Sequence, residues 1–292
     1  MSGRAKAERK LGWTLCAPAV VVMLLVTGYP VVYALWLSLR RYDLRFPDES
    51  KFIGLDNYTD VLTSSLWWDN LITTLAITAF SVVIELVLGL ALALVMHRAI
   101  FGRRTVRASI LIPYGIITVV AALAWRFAFD PTTGFVNELA NTDRAWFSER
   151  IPSLIVIVAT EVWKTTPFMA LLLLAGLTLV PDQLQQAARV DGATAVQRFT
   201  KITLPLIRPA ILVAVLFRTL DAFRIFDAVF VMTRGANDTQ TVSILGYNQL
   251  INRLNLGIGS AVSVLIFVAV IIIATLFVKG FGTSLAQQRG ER

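Results

Sequence analysis

The sequence is poor in the residues that build disulfides, metal sites and many catalytic centres. It contains one cysteine, Cys16, and one histidine, His97, among 292 residues. A single cysteine excludes an internal disulfide framework, and the chain has neither a CxxC pair nor a Cys/His cluster of the kind that binds zinc. His97 stands beside Arg98 at the end of an apolar run, a position typical of a solvated end residue rather than of a catalyst.

Two signatures of enzymes are also missing from the sequence. There is no GxxxxGK[ST] phosphate loop, so the chain is not by itself an ATPase of that type. There is no nucleophile–base signature either. We therefore predict a non-catalytic chain that binds no cofactor or metal of its own. Its energy source must lie elsewhere, in an ion gradient or in a separate ATPase.

Charge is scarce as well, and long apolar runs take its place. Charged residues make up 16% of the chain and hydrophobic residues 56%, and the mean hydropathy is +0.69. A hydrocarbon core of about 30 Å needs about 20 helical residues. We predict an all-α, polytopic membrane protein, a single transmembrane domain over residues 1–292, with six spans at about 11–39, 71–96, 108–129, 151–179, 206–233 and 257–281.

Lysine and arginine are unevenly distributed between the two sets of segments that the spans separate. The N-terminal tail, the second and fourth loops and the C-terminus hold 15 of them with 4 acids, whereas the other three loops hold 9 with 11 acids. Because cytoplasmic loops carry the excess of basic residues, both termini are expected in the cytoplasm, with the chain in the cytoplasmic membrane. The net charge of +8 reflects this placement and does not indicate a nucleic-acid partner.

Charges inside the spans form the first candidate site. In the fifth span, charges of alternating sign recur every three residues, and Glu161 and Lys164 repeat that spacing in the fourth span. Residues three apart lie on one side of a helix and can pair. Glu85, in the second span, has no partner visible in the sequence. The fifth-span charges are Arg218, Asp221, Arg224 and Asp227.

Two interpretations of these charges remain open. Either they line a hydrated cavity for a polar solute, or they form ion pairs that hold helices together or keep a gate shut. Aromatic rings among them suit a sugar, whose C–H faces stack on rings, although core packing or contact with lipid is the better explanation for any single aromatic residue. The further candidates for the solute pathway or gate are Trp163, Phe223, Tyr247 and Asn248.

The polar stretch between the fourth and fifth spans, residues 181–209, forms the second candidate site. Pro181 and Asp182 are suited to the first turn of a helix, and Gly192 can adopt the positive φ of a sharp turn between two helices. The second helix is expected to run from Ala193 until Pro205 and Pro209 restart the chain as a span. On pattern alone, this stretch could also be an amphipathic loop on the membrane surface.

The residues of this stretch resemble a known motif. Their order is similar to the "EAA" loop of permease subunits in binding-protein-dependent ABC importers, which forms the coupling helices that contact a cytoplasmic ATPase. Gln186 stands where the family usually has glutamate, so a salt bridge from that position is not expected. The residues carrying the match are Ala187, Ala188, Asp191, Gly192, Ile202, Leu204 and Pro205.

The resemblance extends over nearly the whole chain. Residues 52–58 (FIGLDNY) resemble a segment of sugar permeases, and residues 161–168 (EVWKTTPF) and 217–227 (FRTLDAFRIFD) resemble the first permease subunit of mycobacterial-type trehalose importers. This resemblance implies a second permease subunit as a heterodimer partner, an ATPase dimer that binds ATP and Mg, and an extracytoplasmic sugar-binding lipoprotein. It also implies transport by alternating access within the lipid membrane.

Two rival interpretations belong to other classes of membrane protein. An ion-gradient-driven secondary transporter would also place charges in its membrane core, but it has no use for a helix–Gly–helix docking loop. A structural or insertion-machinery protein would account for six spans but not for the clustered charge of the fifth. The ATP dependence of uptake distinguishes the first rival from the importer.

Overall fold

The computed structural model describes residues 3–98 and 102–288, and most of these residues are helical. In chain order the α-helices are α1 (Gly3–Met23), α2 (Tyr29–Ser38), α3 (Asp56–Thr63), α4 (Ser65–Arg98), α5 (Arg103–Gly115), α6 (Thr118–Ala128), α7 (Val136–Ala140), α8 (Arg150–Leu177), α9 (Asp182–Val190), α10 (Ala195–Arg198), α11 (Leu204–Ala222), α12 (Asp227–Met232), α13 (Val242–Tyr247) and α14 (Leu256–Gln288). π-Helical turns occur at Leu24–Gly28, Phe199–Thr203 and Asn248–Asn252, and a 3₁₀ turn at Pro47–Glu49. Strands β1 (Arg40–Arg41) and β2 (Lys51–Phe52) pair antiparallel.

The predicted helical membrane fold is confirmed in its main features. Among the described residues, five helical stretches are long and apolar enough to cross a membrane, and the bent pair α5–α6 makes a sixth if it counts as one span. The five stretches are Leu11–Ser38, Ser65–Arg98, Arg150–Leu177, Ala195–Met232 and Leu256–Gly280.

The third predicted span, 108–129, is broken instead of continuous. Its two helices meet at an angle of 85°. Ile116 and Ile117 between them are extended, with ψ of 136° and 133°. Both are β-branched residues, which favour extended backbone, and they follow Gly115, which weakens the end of a helix.

The fifth predicted span, 206–233, begins earlier than expected and is interrupted later. Ala195 starts a helical path that runs through the π turn at Phe199–Thr203 into α11, so Pro205 does not restart the chain. A π turn inserts one extra residue before the proline and relieves the clash of its ring with the preceding turn. The helix then ends at Ala222, and helical structure resumes at Asp227.

The contacts divide the chain into two units. The first comprises residues 1–65 and 245–267. In it Asn57, 3% exposed, donates hydrogen bonds to the carbonyls of Ser38 and Arg40 at 2.8 and 2.9 Å, and the hydroxyls of Ser38 and Tyr58 are 2.6 Å apart. Gly54 in the same segment has a φ of 63°. The FIGLDNY segment therefore fastens the end of α2 to α3.

A salt bridge outside the spans orders the β1–β2 connection of this unit. Arg45 donates to Asp43 through its guanidinium, with an Nη2–Oδ2 distance of 2.5 Å, and through its backbone N–H. The side-chain hydrogen bonds of Arg45, followed by its backbone N–H, lower the pKa of Asp43 from 3.8 to about 2. The carboxylate therefore stays ionised at neutral pH.

The second unit comprises residues 66–244 and 268–292, and α8 lies at its centre. Met169, Ala170 and Leu173 of α8 are fully buried in an apolar core that α4 and α11 complete. Further along, Val156 and Ile157 of α8 pack with residues of α4, α6 and α12 in a second core. Small residues allow the close crossings, since Gly89 of α4 lies against Met169 and Gly176 of α8 against Ala210 of α11.

Candidate functional site

Three helices of the second unit bring three carboxylates together around Arg218. The arginine is 1% exposed and bonds to carboxylates of α4, α8 and its own helix. Its Nε lies 2.5 Å from Oε2 of Glu85, its Nη2 3.0 Å from Oε2 of Glu161, and its Nη1 2.7 Å from Oδ2 of Asp221. We call Glu85, Glu161, Arg218 and Asp221 the ion cluster.

Glu85 is the member that sequence reasoning left without a partner. Its carboxylate accepts two hydrogen bonds from Arg218 and one from Oγ1 of Thr165, at 2.7 Å. The signal that could have identified its role is the charge itself, because an ionised carboxylate buried in an apolar span requires a cation from another span. The sequence offers several such cations, however, and only the packing of α4 against α8 and α11 selects Arg218.

The predicted pairing at three-residue spacing occurs only in part. Arg218 and Asp221 pair as predicted, but α11 ends at Ala222, so Arg224 and Asp227 do not continue its helical face. Lys164 forms no ion pair with Glu161 within the described chain; its Nζ lies 5.5 Å from the centre of the Tyr114 ring.

The interruption after Ala222 opens a cavity beside the ion cluster. Its volume is about 260 Å³, and it is lined by residues of α5, α6, α8 and the α11–α12 connection. The side chain of Asp221 is 73% exposed and lines this cavity. Arg218 is buried and is not among the lining residues. This cavity, which we call the charged cavity, is lined by Tyr114, Thr118, Glu161, Lys164, Thr165, Asp221, Arg224, Ile225, Phe226 and Asp227.

The aromatic and amide candidates are distributed over several places. Trp163, 38% exposed, packs against Trp125 with ring centres 5.9 Å apart, and Phe223 is 1% exposed in the interior. Tyr247 and Asn248 belong to the first unit, where the side chain of Asn248 accepts a hydrogen bond from Asn252 at 2.7 Å. Their part in a pathway stays a prediction.

The second candidate site, residues 181–209, has the helix–Gly–helix form predicted from its sequence. α9 begins after Pro181 and ends at Val190, Asp191 caps it, and Gly192 turns the chain with a φ of 77°. The next helix opens with a capping box, in which Thr194 accepts from the backbone of Gln197 and the Gln197 side chain accepts from the backbone of Thr194.

Side chains fix the two arms of this loop to each other. Nε2 of Gln185 donates to Oγ1 of Thr203 at 2.9 Å, and Nη1 of Arg198 donates to the carbonyl of Ala193 at 2.7 Å. The N–H of Ala193 bonds to the carbonyl of Ala188 at 2.9 Å. These three hydrogen bonds join the two helices of the loop on either side of the turn.

Apolar side chains are exposed on this loop although water would favour their burial. Val190 is 88% exposed and Val196 71%, on either side of the Gly192 turn. Gln186, Ala187 and Pro205 are also exposed, whereas Ala188, Ile202 and Leu204 are half-buried. An open depression is lined here by Asp191, Gly192, Ala193, Gln197, Arg198, Lys201 and Ile202.

The chain resembles known transport proteins in sequence and in fold. Residues 64–287 match the family described as binding-protein-dependent transport system inner membrane component. The chain is 57% identical to the trehalose transport system permease protein SugA of Mycobacterium tuberculosis, over 97% of this chain and 92% of that protein. It is 38% identical to the trehalose/maltose transport system permease protein MalF of Thermococcus litoralis, over 93% of this chain and 94% of that one.

A solved structure has the same fold at lower sequence identity. It is a bacterial alginate ABC transporter in complex with an alginate pentasaccharide-bound periplasmic protein, and one of its chains matches with a TM-score of 0.80 at 21% identity, over 95% of this chain and 96% of that chain. Family, relatives and fold agree with one another. The chain therefore belongs to the family of binding-protein-dependent transport system inner membrane components: it is a non-catalytic, multi-pass inner-membrane permease subunit of an ABC importer.

Proposed function

We propose that this chain moves a sugar, which we identify as trehalose, from a binding lipoprotein across the cytoplasmic membrane by alternating access. ATP hydrolysis in a partner drives this transport. The observation that carries the choice of sugar is the 57% identity to a trehalose permease over 97% of this chain. The relative from Thermococcus litoralis, whose name includes both trehalose and maltose, supports the same class of substrate.

The charged cavity supports a polar, uncharged solute. Carboxylates of Glu161, Asp221 and Asp227 accept hydrogen bonds, and Lys164 and Arg224 donate them. Sugar hydroxyls need both kinds of group, and the aromatic side chains of Tyr114 and Phe226 line the same cavity. At about 260 Å³ the cavity is slightly smaller than the usual ligand sites of about 300–1,000 Å³, as expected where a second permease subunit completes the wall.

The loop at 181–209 acts, in this proposal, as the contact to the ATPase. Its exposed Val190 and Val196 flank the turn between its two helices, and apolar anchors surrounded by polar side chains are typical of a protein interface. Closure of an ATPase dimer that binds ATP and Mg would move this loop, and the helical path from Ala195 to Ala222 would carry that movement to the charged cavity.

The assembly follows from these roles. Residues 1–292 form one transmembrane domain that pairs with a second, different permease subunit, and the extracytoplasmic lipoprotein delivers the sugar. Basic residues favour both termini and the 181–209 loop on the cytoplasmic side. The alginate transporter of the same fold was crystallised with a sugar-bound periplasmic protein, which supports a partner of that kind here.

Reconstitution tests the function directly. The two permease subunits, the ATPase and the lipoprotein are placed in proteoliposomes whose ion gradients have been collapsed, and uptake of labelled trehalose is measured with and without ATP. We expect uptake only with ATP and all partners present, together with trehalose-stimulated ATP hydrolysis. Uptake by this chain alone, driven by an ion gradient, would make the secondary transporter the correct class.

A further inference from the structure

A line of polar side chains crosses the interior of α4, where apolar residues would be expected. Each is at most 4% exposed, although a membrane-spanning helix normally buries apolar surface. Successive members are three or four residues apart, so all five fall within an arc of about 80° at 100° per residue. We call this line the polar seam; it consists of Asn70, Thr74, Thr78, Ser81 and Glu85.

Part of the seam has hydrogen-bond partners from the protein. Oγ1 of Thr74 donates to the carbonyl of Asn70 at 2.7 Å and accepts from the backbone N–H of Val242 at 3.0 Å. At the other end, Glu85 accepts from Arg218 and Thr165. The seam therefore begins near the first turns of α4 and ends at the ion cluster, about 22 Å further along at 1.5 Å per residue.

Two members between these ends, and the amide nitrogen of Asn70 at the first end, are different. Oγ1 of Thr78, Oγ of Ser81 and Nδ2 of Asn70 are buried and have no hydrogen-bond partner among the residues that the structure describes. A buried polar atom without a partner is costly, and three such atoms (two hydroxyls and one amide nitrogen) in one line are uncommon in a packed interior. Such atoms are usually satisfied by internal water, which needs two to four polar partners.

The spacing of the seam suits water. Side chains three or four residues apart on a helix have Cβ atoms about 5–6 Å apart. This separation is about twice the length of an O–H···O hydrogen bond, so one water molecule can bridge each gap. We propose that the polar seam binds a file of water molecules that extends from Asn70 past Thr78 and Ser81 to the carboxylate of Glu85.

This water file gives Glu85, which unlike Glu161 and Asp221 does not line the charged cavity, its own access to solvent. Separating an ion pair in an apolar interior costs much free energy, because no solvent replaces the lost hydrogen bonds. Water that reaches Glu85 supplies replacement hydrogen bonds when α4, α8 and α11 shift against one another. The ion cluster can then exchange partners during a conformational change instead of remaining fixed.

The direction in which Thr78→Val changes the melting temperature distinguishes a hydrated seam from a dry one. If Thr78 bonds to water, Thr78→Val removes a hydrogen bond and lowers the melting temperature of the purified complex by about 2–4 °C. The matched control is Thr166→Val, because that hydroxyl bonds to the carbonyl of Val162 at 2.5 Å and must show a loss of similar size. An unchanged or raised melting temperature for Thr78→Val, with the control lowered, overturns the proposal.

Silver accessibility tests the same site without depending on stability. Cys16 is the only cysteine, so Cys16→Ser provides a cysteine-free background. Into it Ser81→Cys is introduced, with Thr166→Cys as the control, and the folded complex is exposed to Ag⁺ before denaturation and alkylation. We expect silver to block alkylation at position 81 at least about tenfold faster than at position 166. Equal rates at the two positions overturn the proposal, whatever the transport activity of either variant.

Discussion

At the scale of single residues, Arg218 is the side chain whose loss should be most damaging. Arg218→Gln would leave the carboxylates of Glu85 and Glu161 buried without a cation, which costs about 3–5 kcal/mol in comparable sites. We expect a strong loss of folded protein and of thermal stability. Denaturation of the purified complex, followed by the fluorescence of its tryptophans, measures this loss.

The matched control for that experiment is a change at Asp221, the partner of Arg218 that lines the charged cavity and is exposed. Asp221 also bonds to Arg218, but its side chain is 73% exposed, so Asp221→Asn should cost at most about 1 kcal/mol. Equal destabilisation by the two changes would mean that burial does not determine the strength of these contacts. That result would contradict the view of Arg218 as the centre of the cluster.

Gly192 allows a prediction about coupling. Its φ of 77° is reached easily by glycine, tolerated by asparagine and strained for a β-branched residue. Apart from Gly192 and its two chain neighbours, no atom of the described residues lies within 4 Å of the position that a Cβ would occupy, so the effect is one of backbone conformation and not of a clash with other segments. We expect the complex that carries Gly192→Val to hydrolyse ATP, through its ATPase, without matching transport, and the complex that carries Gly192→Asn to keep the ratio of sugar moved to ATP hydrolysed. Coupled transport by Gly192→Val would contradict the required turn.

Residue types predict one part of the candidate site, and the other part depends on how distant helices pack. The positive φ of Gly192 is predictable from the sequence, because a sharp turn between two helices requires it and glycine adopts it without steric cost. The pairing of Glu85 with Arg218 does not, because the two residues are 133 positions apart and meet only through helix packing. Local sequence specifies local conformation, whereas a buried ion pair depends on which faces of distant helices come together.

At the scale of helices, the crossing of α4 and α8 depends on a missing side chain. A Cβ at Gly89 would lie 2.8 Å from Cγ of Met169 and 3.3 Å from the backbone nitrogen of Ala170. The methionine can move, but the backbone cannot without separating the helices. Gly89→Ala should therefore lower the melting temperature, although alanine is the better helix former by about 1 kcal/mol.

Gly12 provides the control for this packing argument. It lies in α1 and its backbone is helical. Apart from its chain neighbours and the backbone of its own helix, no atom of the described residues lies within 4 Å of a Cβ added to it. Gly12→Ala should leave stability unchanged or raise it, because only the helix preference acts there. If Gly89→Ala behaved like Gly12→Ala, the close crossing would not limit the stability of this unit.

Helix positions followed from the sequence more faithfully than helix shapes did. Long apolar runs specify where the chain crosses a membrane, because each must cover about 30 Å of hydrocarbon. The 85° bend between α5 and α6 and the π turn before Pro205 do not follow from those runs. Both depend on small differences in backbone preference at one or two residues, which a hydropathy pattern does not contain.

At the scale of the whole molecule, the orientation in the membrane has a direct test. Leu139 in α7 is 80% exposed and Val190 at the end of α9 is 88% exposed. In the Cys16→Ser background, we expect an impermeant maleimide to label Leu139→Cys from the outside of intact cells and Val190→Cys only in inverted vesicles. The opposite pattern would reverse the orientation that the basic residues indicate.

The same two cysteines test the assembly that we propose. If α9 and the Gly192 turn bind the ATPase, adding the purified ATPase to stripped inverted vesicles must slow the labelling of Val190→Cys. An apolar side chain at the centre of an interface becomes inaccessible when the partner binds. Leu139→Cys is labelled in right-side-out vesicles opened with a low concentration of detergent. It must keep its labelling rate, because the distribution of basic residues predicts that its loop lies on the side of the membrane opposite the proposed ATPase contact. Protection at both positions would indicate a general change in the membrane, and protection at neither would remove the 181–209 loop as the ATPase contact.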